Sequence, residues 1–278
     1  MTTTPDAVEI NALLADLRIA KDAVGDKEWL SPELAGGPAV SVELLGSTGS
    51  PLSSLDSAGM GFLTPMVSFL DEPLGQLRGD PSSVSSGAGE FDRAAQDGAA
   101  VAEEYRATAG SETSEWSGQA GADYLNKGME LADGVLSIAE TSLTSAKALI
   151  GAGEVVAKAV ADVTALINEA VGQIVPIMSQ AIASAPVTFG QSIAAAIPQC
   201  VQIAADYAGR IAGKMAALLS SGENLMKLID GAVGVLKIVK QVLTFIGEQS
   251  QGGAPTTTVA APRRPAAEPS DDTTEEES

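Results

Sequence analysis

The chain has 278 residues, 36 acids against 16 Lys and Arg for a net charge of −20, no histidine and a single cysteine. Without an imidazole there is no Ser-His-Asp or Cys-His catalysis and no histidine-bearing metal site, and one cysteine makes neither an internal disulfide nor a structural zinc site. So acidic a surface is repelled by phosphate backbones, and no basic patch interleaved with aromatics offsets it, which excludes nucleic acid as a partner.

Abundant Ala, Leu, Val and Ile with only 4% aromatics point to an all-α chain long enough to bury a core. Met1 to Val24 carries Asp6, Glu9, Asp16 and Asp22 and has neither a basic leader nor an apolar centre, so it is not a cleavable signal peptide. Its apolar residues Ile10, Leu13, Leu14, Leu17 and Val24 fit one stripe of a helix. Residues 25–61 are broken by Gly36-Gly37-Pro38, Gly46, Gly49, Pro51 and Gly59 and read as irregular chain with short helices, anchored by Trp29. Residues 1–61 therefore form an amino-terminal helix and loop-rich segment. A short helix is expected over Pro65 to Leu77.

Asp80-Pro81 then signals a helix start. Asp can accept a bond from a first-turn amide, and Pro at the next position has no amide to leave orphaned. From there Val84, Ala88, Phe91, Ala95, Gly98, Ala102, Tyr105 and Ala109 alternate spacings of four and three, which sets them along one seam of a long helix. After Trp116-Ser117-Gly118 the apolar positions resume at Tyr124, Leu125, Leu131, Val135, Ile138, Leu143, Leu149, Ile150, Val156 and Val160. Two such rods joined by a few residues fold into an antiparallel hairpin. Its turn needs a bulky plug and a residue tolerant of unusual φ, jobs that suit Trp116 and Gly118. Val84, Phe91 and Tyr105 are the large side chains expected to pack the hairpin. The fold class is all-α, an elongated helical bundle built around this hairpin, which occupies residues 62–150.

The stretch Trp116-Ser117-Gly118-Gln119-Ala120-Gly121-Ala122-Asp123-Tyr124 resembles the WxG superfamily of type VII (ESX) secretion substrates, in which an aromatic lies eight residues after the tryptophan. The lead-in from Phe69 to Leu74 and from Leu77 to Val84 is similar to the segment preceding the hairpin in larger actinobacterial members, including the amino-terminal domains of secreted toxins and EspB-like proteins. The resemblance covers about Phe62 to Ile150. It implies export without a cleavable signal peptide to the medium or cell surface. It also implies a helical WxG-type partner or copies of the same chain, and recognition by a type VII secretion ATPase or chaperone through Trp116, Gly118 and Tyr124. One feature departs from the family. The export signal is a tyrosine followed four residues later by an acid, whereas Tyr105 is followed by Ala109, Tyr124 by Gly128 and Tyr207 by Ile211. A partner brings the signal, the tail carries a substitute, or the chain leaves by another route or not at all.

Residues 151–248 form an apolar helical region. Glycines 151, 153 and 172 and Pro176 are expected to bend or divide the long second arm, and further helices are expected near Thr188 to Ser220 and Gly222 to Gly247. Ala170 to Ala205 has no charged residue. Its apolar runs fall short of the roughly eighteen unbroken residues of a membrane span and contain Pro176 and Pro198. Two readings stand. One is a hairpin buried in a bundle or oligomer. The other is a membrane-active tip of a lipid-binding or pore-forming protein, with Arg210, Lys214, Lys227, Lys237 and Lys240 as a basic flank. That flank belongs to the one positive section of the chain, since residues 207–248 hold 5 bases and 3 acids (+2) while residues 1–128 hold 7 and 20 (−13). Cys200, in an apolar stretch, is a small core residue. Gln249 to Ser278 is Gly, Pro, Thr, Ser and acid with no packing pattern, a disordered acidic tail.

No enzyme is expected. The pairs Asp71-Glu72 and Glu103-Glu104 point to different sides of a helix with nothing apolar to separate their pKa values, and no glycine-rich phosphate loop calls for a nucleotide, so no cofactor is expected either.

Overall fold

The computed structural model describes residues 7–36 and 39–252, and among them every regular element is a helix. Helix α1 is Ala7–Gly25. A layer of short pieces follows: a 3-10 turn at Val42–Gly46, α2 at Ser53–Ser57, a 3-10 turn at Gly61–Leu63, α3 at Thr64–Val67, a 3-10 turn at Ser68–Leu70 and α4 at Glu72–Leu77. Three long helices complete the chain, α5 at Pro81–Glu112, α6 at Gln119–Thr188 and α7 at Gln191–Gly252. The apolar residues Ile10, Leu13 and Leu14 of the first stripe have side chains outside the described residues, as do residues 253–278 of the expected tail.

Helix α6 is the spine. Its 70 residues would reach about 105 Å at the standard rise per residue. Its first half pairs with α5, and Gly87 meets Leu149, Gly98 meets Ala139 and Tyr105 meets Gly128, so numbers rise on one helix as they fall on the other. The hairpin is antiparallel. Its second half pairs with α7 in the same sense: the Gln173 side-chain amide donates to the Tyr207 hydroxyl at 2.7 Å, Lys214 pairs with Asp162 at 3.3 Å, and the Ser192 hydroxyl donates to the Ala181 carbonyl at 2.7 Å. Two hairpins therefore share one helix.

The two halves are filled differently. The α5 seam buries Ala88, Ala95, Ala102 and Ala109, seven residues apart, against the α6 series Ala132, Ala139 and Ala146. On the other half, Val163, Ile167, Ile174 and Met178 of α6 and Cys200 and Ile211 of α7 are buried together with Leu55, Leu63, Val67 and Leu70 from the short helices. A satellite cluster gathers Trp29, Val24 and Leu34 with Ala148 and Val155 of α6 and Ala217 and Leu225 of α7. Trp29 does anchor the loop after α1. The helix over Pro65 to Leu77 is instead split into α3, a 3-10 turn and α4, because Pro65 and Pro73 each restart the chain at a first helical turn.

The expected divisions of the long helices do not occur. Helix α6 runs unbroken past Gly151 and Gly153, which sit under Trp29 and under Val84 and Val42 respectively and serve close packing, and past Gly172 and Pro176 as well. Helix α7 is continuous through Ser220-Ser221-Gly222, where two helices were expected. The reason lies at Ser221, whose hydroxyl donates to the Ala217 carbonyl at 2.8 Å within the helix and accepts the Ser31 amide at 2.9 Å. A polar residue that would break an exposed helix is satisfied here by both. The same helix continues to Gly252, four residues into the expected tail.

Candidate functional site

Both ends of α5 are capped. Asp80 opens α5 at its far end by accepting the Ser82 amide at 2.9 Å and the Ser82 and Ser83 hydroxyls at 2.7 and 2.8 Å. Those hydroxyls, Ser82 first, hold its carboxyl below the ordinary value of 3.8. At the other end of α5, buried Thr113 closes the helix: its hydroxyl donates to the Ala109 carbonyl at 2.6 Å, and its own carbonyl accepts the Trp116 amide at 2.9 Å. The turn is thus tied down from the α5 side before the tryptophan is reached.

Gly118 makes the reversal. Its φ of 95° with ψ of −176° is a region that side chains essentially never adopt, and it leads straight into α6, whose first carbonyl contact is Gly118 O accepting from Ala122. Gly121 follows one turn inside. It is buried under Trp116, and a Cβ there would come within 3.2 Å of the Trp116 Cβ. A side chain at position 121 would press on the Trp116 Cβ and backbone, which would have to shift by a few tenths of an ångström.

Trp116 does not plug the hairpin. It is 58% exposed, and its ring tilts against Tyr124 with centroids 5.2 Å apart and planes at 51°. Tyr124, 42% exposed, completes an aromatic pair on the outside of the tip. The cause is the seam itself: alanine and glycine bring α5 and α6 so close that no room for an indole remains between them. Behind the pair, half-buried Tyr105 lays its ring edge on Gly128, where a Cβ would stand 3.3 Å from it. Burial, then the Tyr124 hydroxyl beside it, pushes the Tyr105 phenol above its ordinary value. Arg106 fixes the register next door by bridging Asp133 of α6 and, at 2.8 Å, Glu103 of its own helix.

The expected hairpin-packing residues divide. Val84 packs on the large core and closes over Gly153, and Tyr105 sits in the seam as described. Phe91 leaves 45% of its surface to solvent and lines a groove of about 400 Å³ with Leu17 and Val24 of α1, Leu136 of α6 and Leu228 and Val233 of α7. Phe91 thus stays partly exposed at the edge of the seam, in a groove that α1 and α7 also line.

Among the described residues no group of three or more His, Cys, Asp or Glu could hold a metal ion, and no helix is long and apolar enough to cross a membrane. Buried Cys200 has its thiol pushed up by desolvation, the opposite of what a reactive thiol requires. The Ala170 to Ala205 stretch is the bend joining α6 to α7. One face lies in the large core, while the apex carries Val187 and Phe189 in solvent. Sequence reasoning missed two things here: the buried Ser221 to Ser31 tie and the exposure of Phe189. For the second the available signal was the pair Phe189-Gly190, a turn dipeptide inside an apolar run.

The chain is an all-α bundle of two helical hairpins that share a helix. No protein-family model, curated protein or solved structure matches it.

Proposed function

We propose that the chain is an exported substrate of a type VII (ESX) secretion system, acting outside the cell or at its surface by helical protein–protein assembly rather than by catalysis. The observation that supports it best is the tip: Trp116 and Tyr124 held in a tilted, exposed pair at the free end of a narrow hairpin, with Gly118 in a backbone state that only glycine adopts readily. Exposed aromatics on a rigid support are what a recognition surface offers a partner. The fold leaves their apolar area uncovered while burying alanines beside them.

In this reading a secretion ATPase or chaperone reads the tip. A helical WxG-type partner, or a second copy, packs along the hairpin. The missing tyrosine-to-acid pair is supplied by that partner or by residues 249–278.

The test compares culture filtrate with cell pellet for wild type and Trp116→Ala in an actinobacterial strain with an active type VII system. Wild type is expected in the filtrate and the variant in the pellet. The variant should stay within about 1.5 kcal/mol of wild type, the order of one aromatic pair, and so remain folded. Equal export of both, or export of neither, overturns the proposal.

A further inference from the structure

The end of the molecule formed by the α6–α7 bend differs from the rest in charge and in backbone. From Ala170 to Ala205 no residue is charged, in a chain whose net charge is −20. The nearest charges along the two arms are Glu169 and Asp206. Beside Asp206, Tyr207 and Arg210 meet Glu169: the Tyr207 hydroxyl lies 3.3 Å from the Glu169 carboxylate, Arg210 lies 3.4 Å from it, and the Arg210 guanidinium rests 4.6 Å above the Tyr207 ring. This layer forms a collar. Beyond it, nineteen residues of α6 from Ala170 to Thr188 extend about 28 Å at the helical rise with only Gln, Ser, Thr, Gly, Pro and apolar side chains.

At the apex the chain spends conformational strain on an aromatic. Phe189 ends α6 in the left-handed region, φ 51° and ψ 36°, and Gly190 follows at φ 85°. A helix ending of this kind favours Gly or Asn, and a bulky residue there is an outlier. Nothing in the fold repays it, since Phe189 is 96% exposed and Val187 83% exposed. The bend closes without the ring: the Gly190 amide donates to the Ala185 carbonyl at 3.0 Å, and Thr188 and Ser192 exchange a hydroxyl bond at 2.8 Å. The short-helix layer, packed along the same two arms, also exposes Phe62, Met66 and Phe69.

We infer that the α6–α7 apex is a lipid-binding tip, which inserts Phe189 and Val187 into the interfacial layer of a bilayer without spanning it. Two apolar side chains at a charge-free end suit shallow, reversible interfacial binding. They are too few for tip-to-tip docking of two copies, because a stable protein interface takes about 800 Å² from each partner. The charges on the rest of the chain, −20 in all, favour an uncharged bilayer surface over an anionic one. This site lies at the bend opposite in the chain path to Trp116 and stands independently of export.

The test is flotation of the full chain with phosphatidylcholine vesicles at low and high salt. Wild type is expected to float in both, with less binding when phosphatidylserine is added. Phe189→Asn, whose new side chain tolerates the left-handed backbone, should lose binding by about tenfold or more while melting no lower than wild type. A second variant, Phe189→Trp, should float and gain fluorescence quenched by lipids brominated in their acyl chains, measured against the wild-type tryptophans. The inference is overturned if wild type stays at the bottom of the gradient, if Phe189→Asn floats equally, if the new tryptophan is not quenched, or if sedimentation without lipid shows a dimer that Phe189→Asn abolishes.

Discussion

The half of α6 that pairs with α5 and the half that pairs with α7 use the same helix and opposite means of cohesion. The α5 half is joined by Ala88, Ala95, Ala102 and Ala109 against Ala132, Ala139 and Ala146, with Gly98 so near that a Cβ would sit 3.1 Å from the Ala139 Cβ. The α7 half buries Ile167, Ile174, Met178 and Ile211 beneath Leu55, Leu63 and Leu70. Since apolar stabilisation follows the area removed from water, about 25 cal/mol per Å², the α7 half carries most of the stability and the α5 half depends on proximity. A thin hairpin comes at the expense of its hydrophobic core. Its large side chains Trp116 and Tyr124 are left outside, where they can meet something else.

Breaking the thick half should have the largest effect. Ile174→Ala removes a fully buried side chain and should cost about 3 kcal/mol, seen as a lower midpoint in chemical denaturation of the whole molecule. A loss below about 1 kcal/mol would mean that this core does not dominate. Overfilling the thin half comes next. Ala102→Leu adds methylenes at a fully buried seam position and should cost about 2 kcal/mol by forcing α5 and α6 apart. Hydrogen exchange would localise the damage, with protection lost over 95–139 and kept over 163–211. Uniform loss in both would show that the halves unfold as one.

The smallest effect is expected at the start of α5. Because the folded Asp80 carboxyl is held below 3.8, chiefly by the Ser82 hydroxyl and then by Ser83, its contribution is present above that value and lost as pH falls through the folded value. The gap in melting temperature between wild type and Asp80→Ala should be full at pH 7 and close on acidification below 3.8. A gap that persists unchanged at pH 2 would show that ionised Asp80 is not the cap.

Those elements whose signals are local were legible in the sequence. Asp80-Pro81 marked the start of α5 to the residue, and the four-three spacing picked out the alanines that are buried, because cap and periodicity lie within one helix. Gly118 was legible as well, since a sharp reversal between two long helices asks for positive φ. Longer-range features were not. Ser220-Ser221-Gly222 resembles a break until Ser31, 190 residues away, is seen to donate to the Ser221 hydroxyl. Trp116 resembled a plug because size alone suggests burial, but its position depends on how near two alanine faces approach. Phe91 fits the seam by spacing but stays 45% exposed in a groove shared with α1 and α7, which no local pattern records.

The Ser31–Ser221 tie has a consequence for synthesis. Trp29 shares its cluster with Ala148 and Val155 of α6 and with Ala217 and Leu225 of α7, so the α7 side of its site is missing while the ribosome builds the intervening chain. At about 5–20 residues per second, the 190 residues between Ser31 and Ser221 leave that side unfilled for roughly ten to forty seconds. The α5–α6 hairpin, whose partners are close in sequence, can zip up during that interval. A nascent chain stalled before residue 217 would therefore present a finished tip on an unfinished base, with the face of the Trp29 cluster that α7 covers left open.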